Sequence, residues 1–166
     1  MGRMDTCPDC KVELPHSEGL THEYLGGNAA CWKAFGDVLA REYNDFQYMK
    51  FHRWTVDAYA AQHPGKSEPR TIQSVYVHLL ALYLQIEKKT DPSYISKVMQ
   101  KVTETKKGKL QWLNPPAGLG EITIAQVLEA SSPHEHGAKV EAWGKCVWDA
   151  WKEHHSTIRA LAGEFL

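Results

Sequence analysis

Thr71-Ile72-Gln73-Ser74-Val75-Tyr76-Val77-His78-Leu79-Leu80-Ala81-Leu82-Tyr83-Leu84-Gln85-Ile86-Glu87-Lys88 decides the fold. Apolar side chains point in nearly every direction around this segment when it is wound as a helix. A helix with no polar face cannot lie on a surface, so the pattern predicts the buried centre of a helical bundle. His78 and Gln85 interrupt the run, which stays short of the ~20 apolar residues of a membrane span.

Toward the N-terminus, Pro64-Gly65 stops a helix running from about Phe46 to His63. Asn44-Asp45 separates it from an earlier helix that Asn28 caps, with Trp32, Phe35, Val38 and Leu39 at helical spacing to Tyr43. Toward the C-terminus, Asp91-Pro92 opens a helix to about Thr105. A loop over Lys106–Gly120 and a short helix capped by Thr123 follow. Ser132-Pro133 then starts a long final helix with Val140, Trp143, Val147, Trp151, His154, Ile158 and Leu161 on one stripe. Residues 1–27 are irregular, punctuated by Pro8, Pro15, Gly19, Gly26 and Gly27, with only Val12 and Leu14 suggesting a short strand. The expected class is all-α, a five- to six-helix bundle with an irregular N-terminal zinc knuckle.

The chain has 166 residues, 43% of them hydrophobic and 23% charged, which is a globular composition. It reads as one domain over 1–166, a knuckle at 1–30 packed on a bundle at 31–166. A formal net charge of −1 argues against a general nucleic-acid binder. Lys101, Lys106, Lys107 and Lys109 form a basic run that reads as a solvated loop. The first residues lack the apolar core of a signal peptide, so a cytoplasmic protein without a membrane partner is expected.

The four cysteines, two of them as Cys-x-x-Cys, point to metal or redox chemistry rather than to a disulfide framework. Cys7-Pro8-Asp9-Cys10 places two thiolates on one turn, where both can reach a tetrahedral zinc. Cys31, at the first turn of a helix whose dipole favours the thiolate, is the third candidate. Zinc is the usual occupant of such sulfurs, with cobalt and iron as chemical alternatives. Cys146, mid-helix beside Val147, reads as a packed core cysteine. For the fourth ligand, the two helices joined at Asn44-Asp45 should run antiparallel. Counting outward from that turn puts Cys31 opposite roughly Tyr59, with His63 about one turn beyond, while His52 falls about 10 Å away along the axis. His63 leads on this count, and His22, His52 and His16 stay open.

A second polar set, His52, Asp57, Tyr59, His78, His154 and His155, falls on segments that should be buried. Facing histidines in a bundle can hold a catalytic metal with an open position. The simpler reading gives each ring N–H to a backbone carbonyl or to Asp57. Tryptophans 32, 54, 112, 143, 148 and 151 fill the core or line a ligand pocket.

Cys7-Pro8-Asp9-Cys10, Cys31 and Val56-Asp57-Ala58-Tyr59-Ala60-Ala61-Gln62-His63-Pro64 resemble, in order, a family of uncharacterised bacterial proteins catalogued as a domain of unknown function. So do Trp112-Leu113-Asn114-Pro115-Pro116, Glu121-Ile122-Thr123, His136 with Val140 and Trp143, and Trp148 with Trp151 and His154-His155. The resemblance implies a shared fold and a zinc knuckle, and favours His63 over His22. It implies no reaction. In layout alone the chain is similar to the DinB-like helical bundles, whose members often hold a metal through three histidines. Their His-x-x-x-His on the last helix is replaced here by His154-His155, so that site is not carried over.

The leading expectation is a non-enzymatic zinc-binding domain, with Cys7, Cys10, Cys31 and His63 holding a structural zinc and the function lying in binding a small molecule or partner protein. No nucleophile, base and orienting group occur together in a known pattern. The competing expectations are a metal-dependent enzyme using the bundle histidines, and a redox sensor that releases zinc when its thiolates oxidise.

Overall fold

The elements run β1 Met4–Thr6, β2 Glu13–Pro15, α1 Ala29–Asn44, α2 Phe46–Met49, α3 His52–Gln62, α4 Pro69–Ile86, α5 Pro92–Lys106, α6 Ile124–Leu128, α7 Pro133–Ala150 and α8 His155–Gly163. They are those of a computed structural model, which describes residues 2–166. The chain is mostly helical, and α4 is its centre. Leu79, Leu80, Leu82 and Leu84 are fully buried, and α3, α5, α7 and α8 all pack against α4. Each such leucine contributes about 1.5–3 kcal/mol by leaving water. Among the described residues, no helix is long and apolar enough to cross a membrane.

Two expected long helices are divided, which raises the count from six to eight. The segment expected from Phe46 to His63 breaks at Lys50–Phe51, where Phe51 has φ −98° and ψ 2°. No proline or glycine marks this break in the sequence. Its cause is tertiary: the Phe51 ring lies over Gly137 of α7, where an added Cβ would come within 2.2 Å of the ring. The final helix ends at Ala150 and resumes at His155 after a single 3-10 turn over Lys152–His154. There Trp151 buries its indole and donates from Nε1 to the carbonyl of Ala61, at 3.0 Å. His155 stacks on Trp148 at 3.7 Å and donates to its carbonyl, which also accepts the Trp151 N–H at 3.1 Å.

The N-terminal segment carries a two-stranded antiparallel hairpin, with Met4 opposite Pro15, Asp5 opposite Leu14 and Thr6 opposite Glu13. The strand suggested by Val12 and Leu14 is β2. Its partner β1 is three residues of mixed character that carry no strand signal of their own.

The pivot of the interior is Gln62, at the end of α3. Its amide donates to the carbonyls of Leu119 and Ile122 at 3.1 and 2.7 Å, and its oxygen accepts from the Trp143 indole at 3.0 Å. Both amide N–H groups and the oxygen have partners, which is what permits burial of an amide. The loop after α5 is thereby tied to the C-terminal end of α3, next to His63.

Candidate metal centre

Three separate stretches of chain deliver four ligand-capable atoms to one buried point. Cys7 follows β1 directly. Its N–H donates to the Val12 carbonyl at 2.9 Å, and the Lys11 N–H donates to the Cys7 carbonyl at 3.0 Å. Lys11 takes a left-handed conformation, φ 67°, that closes this tight turn. Cys31 stands in the first turn of α1, where the Asn28 cap accepts its N–H at 2.9 Å. The cap that starts the helix thus also fixes the third cysteine. His63 follows the last residue of α3. A carbonyl can only accept, so its Nδ1 carries the proton and donates to Tyr59 O at 2.7 Å. Nε2, the nitrogen left to ligate once the ring is neutral, faces Cys31 Sγ, 3.3 Å away.

The ligand atoms of Cys7, Cys10, Cys31 and His63 lie within 4.8 Å of one another, and all four residues are buried. Tetrahedral zinc, with Zn–S near 2.3 Å and Zn–N near 2.0–2.1 Å, separates its ligand atoms by about 3.5–3.8 Å. Cys10 Sγ and Cys31 Sγ are 3.9 Å apart, and all four cysteines of the chain are free. Ligand types, spacing and burial fit such an ion.

The cluster's electrostatics are those of an electron-rich pocket. Burial alone would lower the pKa of His63, but the Cys10 and Cys7 sulfurs overcome it and hold the imidazole up at about 9. Hydrogen bonds from Cys10 and Cys31 push the Cys7 thiol well down. Cys31 is pushed up by its contacts with Cys10 and Cys7 and by burial. A divalent ion would displace the protons on imidazole and sulfur and be bound by the thiolate charge. Tyr59 closes one side. Its hydroxyl donates to Cys31 Sγ at 3.5 Å, and its ring stacks between Phe35 and His63, each at 3.9 Å.

Backbone contacts hold the stretches together. Asp9 accepts the Gly65 N–H at 3.0 Å, and the His63 carbonyl accepts the Gly26 N–H at 3.0 Å. Gly65 has φ +67°, and a Cβ there would meet the Tyr24 carbonyl at 2.8 Å. The Pro64-Gly65 helix stop is therefore also the place where the knuckle loop docks.

The other candidates lie outside this cluster. His22 accepts the Tyr24 and Leu25 N–H groups on Nδ1, both at 3.1 Å, and sits edge-on to Trp32. His16 pairs with Asp5 at 2.7 Å. His52 bonds Glu42 at 2.9 Å and His78 bonds Asp57 at 2.8 Å. His154 donates to the Asn114 carbonyl at 2.9 Å and His155 to that of Trp148 at 2.7 Å. Among the described residues, these histidines join no group of three metal-capable side chains. Cys146, expected in the core, is only half-buried, on α7 beside Gly120. Trp143, Trp148 and Trp151 are core residues, while Trp32, Trp54 and Trp112 pack partly exposed at its edge.

One cluster was not foreseen. Glu42, fully buried on α1, accepts from His52, from His136 at 2.8 Å and from Thr55. Burial alone would raise its pKa, but the hydrogen bonds from His136, His52 and Thr55 hold it below the usual carboxylate value. Glu42 lies one turn after Val38 on the apolar stripe of α1. A carboxylate in that register was the available signal.

The model of the family of unknown function DUF5946 matches residues 5–152, and the chain belongs to that family. No curated protein and no solved structure matches it.

Proposed function

We propose that this member of the family is a cytoplasmic zinc-binding helical protein whose metal is structural and whose function is to bind a small molecule or a partner protein. Cys7, Cys10, Cys31 and His63 would hold one zinc, fastening the N-terminal segment to α1 and α3 as one folding unit with the bundle. The supporting observation is that four buried ligand-capable side chains converge within 4.8 Å of one another, enough protein ligands to fill a tetrahedral zinc. A catalytic zinc keeps a position open for water or substrate. The same burial speaks against a redox sensor, because sensing thiolates must meet their oxidant. A reducing compartment suits four free thiols.

The test is metal content and melting temperature of the freshly purified protein and of the Cys31→Ala and His63→Ala variants. One zinc per chain, lost from both variants with a fall in melting temperature, is expected. A metal that survives both substitutions would move the ion elsewhere and make the enzyme reading the better one. Zinc release under mild peroxide would favour the sensor.

A further inference from the structure

A cavity of about 230 Å³ lies beside the metal centre, bounded by α1, α3, α4 and the loop around His22–Leu25. Trp32, Phe35 and Tyr59 give it aromatic walls, and Leu39 and Val56 extend the apolar surface. Tyr59 belongs to both places. Its hydroxyl bonds Cys31 Sγ, and the residue is also among those that line the cavity.

Set into these walls are polar groups that the fold does not use up. Ser74 is only 7% exposed, lines the cavity, and its hydroxyl has no hydrogen-bond partner among the described residues. A serine inside a helix ordinarily returns its hydroxyl to the carbonyl four residues earlier or gives it to water. A buried hydroxyl that does neither is costly and calls for a partner. His78, one turn further along α4 on the same face, also lines the cavity. Its Nδ1 bonds the fully buried Asp57 carboxylate, which also accepts from Gln85 and pairs with Arg53. A carboxylate accepts, so Nδ1–H donates. The Nε2 of the neutral ring is left as an acceptor without a protein partner among the described residues. His52 repeats the arrangement at the α1 side, with Nδ1 on Glu42 and Nε2 3.3 Å from the Tyr43 hydroxyl.

A ligand hydroxyl answers both unmet groups at once, donating its proton to His78 Nε2 and accepting that of Ser74. The two carboxylates behind the histidines disfavour an anion. The volume suits one ring, since a cavity of about 150 Å³ accepts benzene. We propose that this cavity binds a neutral, single-ring aromatic compound bearing a hydroxyl group, a phenol, held by Ser74 and His78 between aromatic walls. The proposal deepens the binding reading above and rests on it, because the metal corner sets the Tyr59 wall.

The test is calorimetric titration of the zinc-loaded full chain with p-cresol, and with toluene as the same shape lacking the hydroxyl. Saturable one-to-one binding of p-cresol is expected, with toluene weaker by about tenfold or more. Ser74→Ala should weaken p-cresol about tenfold while keeping the melting temperature, because it removes a hydroxyl the fold leaves unpaired. His78→Gln should weaken p-cresol similarly and leave toluene unchanged. No saturation by p-cresol at millimolar concentration, or equal affinity for toluene, would overturn the proposal. Zinc content measured on the same sample separates the two readings. Zinc present without p-cresol binding refutes the cavity assignment alone, and p-cresol binding to protein that never holds zinc refutes the structural-metal reading alone.

Discussion

Two buried polar regions sit a few turns apart in this molecule and handle charge in opposite ways. Around Glu42, every donor has an acceptor inside the protein: His52, His136 and Thr55 all give their protons to one carboxylate. Around Cys31, three sulfurs and an imidazole nitrogen face one another within 4.8 Å, with only weak sulfur hydrogen bonds between them. The first region is complete as a protein network. The second has the ligand types, burial and spacing of a site that could hold a cation. Histidine serves both, and the partner of its Nδ1 distinguishes the roles: a carboxylate for His52 and His78, a backbone carbonyl for His63. With the sulfurs in front of it, the carbonyl-bonded ring is the one disposed as a ligand.

The contrast breaks most visibly at the metal corner. Cys31→Ala should abolish zinc binding and cost on the order of 5 kcal/mol, because metal binding to a site absent from the unfolded chain is folding energy. Denaturant unfolding with and without chelator measures this, and a variant insensitive to chelator but as stable as the parent would contradict it. His136→Ala should cost about 3–5 kcal/mol by leaving the buried Glu42 carboxylate short of a partner, with zinc stoichiometry unchanged. Loss of zinc from that variant would mean that the two regions are one.

Acid should separate them. The folded pKa of Glu42 lies below its unfolded value, so the folded state binds fewer protons between the two. Its stabilisation is therefore fully present above about 4.3, the ordinary glutamate value, and is lost as pH falls through the depressed folded value. Zinc competes with protons for thiolates and imidazole and should leave at milder acidity. Glu42→Gln is expected to flatten the stability profile below about pH 4.3 without moving the pH of zinc release. An unaltered acid profile in Glu42→Gln would count against the network. The smallest effect is expected at Asp9→Ala, which removes the bond to the Gly65 N–H and should cost about 1 kcal/mol while retaining zinc.

The two regions were unequally legible in the sequence. Cys-x-x-Cys announces itself at short range, and antiparallel pairing of α1 with the segment ending at His63 was enough to bring Cys31 and His63 together. The all-round apolar pattern of α4 declared the core. Glu42 and His136, 94 residues apart, have no local spacing rule that joins them. Their pairing depends on the approach of α7 to α1. The break at Phe51 and the turn after Ala150 were hidden for the same reason, since a phenylalanine over a glycine and an indole on a distant carbonyl act through tertiary contact. Ser74 was visible only as a minor polar residue in an apolar helix. Its missing partner emerges once the neighbours are in place.

The central claim, a tetrahedral zinc on Cys7, Cys10, Cys31 and His63, is tested most directly by X-ray absorption at the zinc edge of the purified protein. The account predicts three sulfurs at about 2.3 Å and one nitrogen at about 2.0 Å, with no water ligand. A shell of nitrogen and oxygen alone, or no zinc to measure, would contradict it.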